Sequence, residues 1–236
     1  MDNEAFLVKQ NKLISLCPEV NDILYALNKY LDVTFFRYVK SYPNGEKFIL
    51  SNSEPWLKEY FKSEFYNREF ADYSKHPEGS KGVHIHHECD KEHPVCQFWN
   101  KNGKIGKYNS KIAFFIKFKA YFEMYDFGIL GDSHRSSDTF FNNQKVFRHF
   151  FLYFKSRGRN LFKEAELAKF SVNIIENYDS KENWLLGINE QDAKLVFLEM
   201  PLLEFYLDDE FADVALTLEE ARSLRFLLMV IPSIKP

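Results

Sequence analysis

The sequence predicts an α+β fold in which an antiparallel sheet is sandwiched between helix layers, and three observations carry that prediction. Two pairs of strand-like segments are joined by links too short for a helical crossover, at Pro43–Gly45 and at Lys119–Ala120. Apolar residues at helical spacing stand before and after each pair. A Gly-rich phosphate loop and an internal repeat are both lacking, which argues against a parallel nucleotide-binding sheet.

The first helix is predicted behind Pro18, where Val20, Ile23, Leu24, Leu27, Tyr30 and Leu31 recur at helical spacing. Val33 to Tyr42 reads as a strand, with Phe35 and Val39 on one face and Phe36 and Tyr38 on the other. Pro43-Asn44-Gly45 is turn chemistry, and Lys47 to Leu50 can return as the partner. Asn52 or Ser53 can cap the next helix, with Pro55 in its first turn and Leu57, Tyr60, Phe61 and Phe65 as its buried stripe. Residues 71 to 110 are polar and His-rich, and only short pieces of structure are expected there. Ile112 to Phe118 and Tyr121 to Ile129 form the second hairpin. Asp138 can cap a long helix whose stripe is Phe140, Phe147, Phe151, Phe154 and Leu161, with Gly158 as a breaking point. That stripe can pack on the sheet or, being narrow, on a second subunit.

Composition bounds the rest. At 236 residues with 45 % hydrophobic content, the chain suits one large domain or a domain with a short appendage. Its 25 Phe residues can pack solid or line a flat apolar pocket. A net charge of −3 gives no general signal for nucleic acid or membrane. Lysines 101, 104, 107, 111, 117 and 119 come without an intervening acid, a pattern that most often marks a solvated face. Three cysteines make no disulfide framework, the start lacks a secretory pattern, and the longest apolar run, Phe226–Pro232, cannot cross a bilayer. A cytoplasmic protein with no membrane partner is expected.

Two clusters invite chemistry. His84, His86, His87, Cys89, His93 and Cys96 are residue types that bind zinc, and their density makes a zinc-binding module at residues 84–96 an alternative reading. Their spacing contains neither a paired CxxC nor a helical HExxH, so no metal is assigned. No nucleophile elbow presents a catalytic side chain, so a non-enzyme without cofactor is expected. Near the end, Thr217-Leu218-Glu219-Glu220 is a capping box opening a helix with Ala221, Leu224 and Leu228 on one face.

That last segment, LTLEEARSLRFLLM, resembles the first helix of the LuxR-type helix-turn-helix domain, through Leu216, Thr217, Glu220, Leu224 and Leu227. Glu219 stands where the family has Arg. The residues that follow, Met229 to Pro236, include two prolines and do not read as the scaffold and recognition helices. The expected division is therefore a sensor domain over 1–213 and a remnant of the helix-turn-helix over 214–236. Sequence-specific DNA binding needs a helix in the major groove, and this chain alone is not expected to supply one. The preceding region resembles the family's N-terminal sensor, a PAS/GAF-like autoinducer-binding domain. Trp56, Tyr60 and Glu69 match its ligand-contacting Trp, Tyr and Asp in spacing. The resemblance implies that the Trp56 indole N–H donates to a ligand carbonyl and that Glu69 accepts from a ligand amide. Three positions depart from it: Glu69 is longer than Asp, Asn52 replaces a Tyr, and His84-Ile85-His86-His87 replaces a further pocket Trp.

The expectation is a sensory, ligand-binding and dimerising domain of a LuxR-type regulator. Its partners would be a small apolar or amphipathic ligand and a second copy of itself. The alternative from a different class is a ligand-free interaction protein that sequesters or modulates an intact regulator or another partner.

Overall fold

Strand pairing begins at the first turn. Gly45 adopts a φ of +78°, open to glycine at little cost, and lets Tyr42 and Glu46 close the hairpin through Tyr42 N–H to the Glu46 carbonyl at 2.9 Å. This joins β1 (Val33–Ser41) to β2 (Glu46–Ser51). The structure, a computed structural model, describes residues 3–69, 71, 73–75, 78–86, 94–130, 138–140 and 142–172. The capping box at Thr217–Glu220 and the expected domain division at 213 lie outside the described residues.

The second hairpin joins β4 (Ser110–Lys117) to β5 (Phe122–Ile129), and Phe118 donates its N–H to the Tyr121 carbonyl across the Lys119-Ala120 link. The long-range step pairs β1 with β5, placing Arg37 opposite Asp126 and Phe36 opposite Phe127. An edge strand, β3 (Lys81–His86), adds to β4, and the two-residue β6 (Phe170–Ser171) adds to β2. The sheet of the described residues has six strands in the order β3-β4-β5-β1-β2-β6, with every neighbouring pair antiparallel. The α+β class and the antiparallel sheet agree with the sequence reading.

Helices cover both faces. On one side lie α3 (Glu54–Lys62) and α4 (Pro94–Gly106), which bring Trp56 and Trp99 against Phe35. On the other lie α5 (Gln144–Arg157) and α6 (Arg159–Leu167), separated at Gly158 as expected. Here Phe147, Phe150, Phe151, Phe154 and Phe162 interlock with Phe36, Tyr38, Phe114 and Phe127 of the sheet. The predicted stripe of Phe140, Phe147, Phe151, Phe154 and Leu161 is wholly buried in this core, so it is spent on the sheet. Residues 138–140 are helical, but α5 itself starts at Gln144, beyond the expected Asp138 cap.

Two further helices complete the described chain. α1 (Asn3–Ser15) touches α3, β2 and α6, and Phe6 sets its ring against Phe61, Tyr66 and Phe170. α2 (Cys17–Leu31) contacts β1 and β2 and buries Val20, Ile23, Leu24, Leu27 and Leu31. Tyr30, expected on that stripe, is 43 % exposed instead. No helix among the described residues is long and apolar enough to cross a membrane.

Candidate functional site

The site lies on the α3–α4 face of the sheet and starts from strand alternation. Arg37 sits two residues after Phe35 on β1, so its side chain falls on the same face as that ring. Lys47 on β2, Lys111 on β4 and Asp126 on β5 join it, and all four are buried. The sequence places Lys111 and Lys117 in a solvated basic strip; in the fold both are buried. Lys117 lies over the Tyr73 ring at 3.8 Å and donates to the Tyr73 carbonyl at 2.8 Å.

Asn52 fixes how α3 enters this face. It accepts from the Phe36 N–H at 2.8 Å and donates to the Thr34 carbonyl at 3.0 Å, bolting the start of α3 to β1. Ser51 Oγ adds a bond to the Phe36 carbonyl at 2.9 Å. Neither Asn52 nor Ser53 caps the helix through its side chain, a correction to the expected role. Trp56 and Tyr60 follow one turn apart and stack at 5.3 Å, and Trp56 stacks again on Trp99 at 5.1 Å. A 3₁₀ turn at Phe65–Asn67 then delivers Glu69 beneath them, only 2 % exposed.

The three residues taken from the family resemblance are therefore brought together, with Glu69 already engaged. Its Oε1 accepts from the Tyr60 hydroxyl and from Lys47 Nζ at 3.1 Å, and its Oε2 accepts from Arg37 Nη1. Lys47 also donates to the Tyr66 carbonyl at 2.7 Å. Arg37 continues to Asp126 Oδ2 through Nε at 2.6 Å, and Lys111 Nζ approaches Asp126 Oδ1 at 2.8 Å. That last contact is an ion pair without the alignment of a hydrogen bond. Both cations also face indole: Lys111 lies 3.4 Å over the Trp99 ring and Arg37 lies 4.7 Å over it.

Burial sets the protonation states. It works against the charged forms of Arg37 and Glu69, but each is outweighed by the opposite charges beside it. The Arg37 guanidinium is driven above its ordinary range by Asp126 and Glu69, and Arg37 with Lys47 hold the Glu69 carboxyl below the usual carboxylate range. Lys111 behaves otherwise: burial lowers its ammonium to about 8, with Asp126 offsetting only part of the cost and Arg37 adding to it. Burial, then Glu69, drives the Tyr60 hydroxyl well above 10, so it remains a donor.

Among the described residues the linked ion network of this face holds three cations, Arg37, Lys47 and Lys111, and two carboxylates, Glu69 and Asp126, while Lys117 lies apart on Tyr73. The Trp56 indole N–H is buried and approaches the Tyr108 hydroxyl without making a hydrogen bond. A buried donor left open costs roughly 1–3 kcal/mol, which is the cost a ligand acceptor would remove. Asn102 Oδ1 is buried and open as well, although its Nδ2 donates to the Phe98 carbonyl at 2.9 Å. The arrangement can orient an acceptor-bearing molecule against aromatic faces.

Sequence reasoning missed Arg37, Lys47, Trp99, Lys111 and Asp126. A signal was present: Arg37 stands between Phe36 and Tyr38, and Asp126 between Tyr125 and Phe127, in strands apolar on both faces. A charge in such a strand has nowhere to go but inward, where it must find a partner. For the His/Cys cluster, His84 and His86 lie on β3 opposite Ala113 and Lys111. Their side chains and that of Cys96, with all of His87, Cys89 and His93, lie outside the described residues. No group of three or more His, Cys, Asp or Glu among the described residues could hold a metal ion. No protein-family model, no curated protein and no solved structure matches this chain.

Proposed function

We propose that this chain is the sensory domain of a LuxR-type transcription regulator, PAS/GAF-like in fold. It binds a small amphipathic molecule between its sheet and the α3–α4 layer. One observation carries the reading: Trp56, Tyr60 and Glu69 converge on one buried face, and the Trp56 N–H there, beside the Tyr108 hydroxyl, makes no hydrogen bond. In the family resemblance that same N–H meets a ligand carbonyl. Glu69, bonded to Tyr60, Lys47 and Arg37, acts as the anchor that orders the site. As in the expectation, the domain acts as a homodimer; α5 spends its apolar stripe on the sheet, so the seam lies elsewhere.

Native mass spectrometry of the purified protein, followed by a denaturing spectrum, tests this. The expected result is a dimer mass with an added mass on the order of a few hundred daltons per subunit, lost on denaturation. Trp56→Phe keeps the ring packing, costs on the order of 1–2 kcal/mol of stability, and loses the added mass. Bare protein in the wild type counts against the reading.

A ligand-free interaction protein is the second reading, and packing density favours it. A Cβ placed on Gly128 would lie 2.7 Å from Phe35 Cβ and from the Tyr108 ring, so the sheet is closely covered at that point.

A further inference from the structure

We propose that the ligand of this site is an organic acid, a carboxylate on a flat apolar body, received by Lys111 and the Trp56 N–H with Arg37 behind them. The proposal rests on the sensor reading above and specifies its ligand class.

Charge is the first ground. In the linked ion network of the described residues, Arg37, Lys47 and Lys111 face Glu69 and Asp126, three buried cations to two carboxylates. An unmatched buried charge is expensive, and a carboxylate supplies the missing partner where a neutral lactone or amide does not. Donor supply is the second. Arg37 commits Nε and Nη2 to Asp126 and Nη1 to Glu69, which leaves two of a guanidinium's five N–H groups without an acceptor described. Lys111 directs one contact at Asp126, and Trp56 has none.

Placement is the third ground. Trp99 is the common neighbour of Lys111, Arg37 and Trp56, so the spare donors gather around one indole ring. Phe35 and Tyr108 extend that wall, with Tyr108 4.9 Å from Phe35 and 6.1 Å from Trp99. Flat apolar groups stack well on such faces. Lys111 is the residue free to serve a ligand, because Asp126 keeps Arg37 at 2.6 Å when Lys111 turns away.

The test uses matched pairs in titration calorimetry at neutral pH: phenylacetate with phenylacetamide, indole-3-acetate with indole-3-acetamide, and naphthalene-1-acetate with naphthalene-1-acetamide. The acid of at least one pair should bind about tenfold or more tightly than its amide. Lys111→Met should bring that ratio to about one, and Lys111→Arg, which keeps the charge, should retain it. If the methionine variant fails to fold, the wild-type ratio and the arginine variant still decide the matter. Amides binding as well as acids overturn the anion and leave the sensor reading standing. No binding by any of the six overturns the proposal, while the native mass spectrum judges the sensor reading separately.

Discussion

The two faces of the sheet are built from the same strands and obey different rules. Towards α5 and α6 the sheet offers Phe36, Tyr38, Phe114, Tyr125 and Phe127, packed edge to face or tilted against the Phe residues of the helices. Its buried acid, Glu123, is fully served: Tyr38 donates at 2.7 Å, Tyr125 at 3.2 Å and Lys155 at 2.8 Å. Towards α3 and α4 the linked network of the described residues sets three buried cations against two carboxylates, and a buried indole N–H makes no hydrogen bond. A core optimised for stability alone would resemble the first face, since apolar replacements of buried ion pairs are often neutral or stabilising. The second face bears costs that a bound molecule could relieve.

Removing Arg37 should have the largest effect. Arg37→Met strands Asp126 and Glu69 facing each other across the site, and the expected loss is about 3–5 kcal/mol in urea unfolding. A loss under about 1 kcal/mol would mean that the ions are solvated, and the contrast between faces would collapse.

Next in size is a pH effect. Lys111 has its folded-state pKa lowered to about 8 from an ordinary 10.5, so above pH 8 the unfolded chain binds more protons than the folded one. Stability should therefore rise with pH from about 8, by at most about 1.4 kcal/mol per pH unit. Cys17, whose thiol burial pushes up to about 12 from 9.0, offsets that rise above pH 9, and Tyr38 and Tyr60 turn it into a fall as the pH nears 10. Urea midpoints from pH 7 to 10 should peak near pH 9 in the wild type, and Lys111→Met should lack the rise. A flat wild-type profile would place Lys111 in water.

The smallest effect sharpens the contrast. Tyr60→Phe removes one hydrogen bond to Glu69, which keeps Arg37 and Lys47, so about 1 kcal/mol should be lost in the same assay. A loss of several would make Tyr60 the keystone of the face in place of Arg37.

How much of this could be read from the residues follows from local physics. Both hairpins were legible because Pro43-Asn44-Gly45 is turn chemistry and the Lys119-Ala120 link is too short for a crossover. Trp56, Tyr60 and Glu69 were legible as a spacing, but not the ion network that engages Glu69, since Arg37, Lys47 and Asp126 meet it only through strand pairing. α4 was illegible because its sequence argues against it. Gly103 and Gly106 weaken a helix, yet Tyr108 lies across them: a Cβ on Gly103 would fall 2.8 Å from the Tyr108 carbonyl oxygen, and one on Gly106 would run into its ring. Packing overrides propensity there. β3 was obscured by its histidines, which drew attention to metal chemistry and away from the alternation of Val83 and Ile85.

Lys47 belongs to two structures at once. Its backbone pairs with Phe170, a rung of the ladder that ties β6 to β2, and Val172 just beyond donates to the Gly45 carbonyl at 3.1 Å. Its ammonium, on the other side of the same residue, grips Glu69. The polypeptide leaving β6 is thus moored to the very residue that steadies the carboxylate. Any tug on Glu69 has a one-residue lever arm to the mooring at Phe170, a route by which an event in the site could be handed along the backbone.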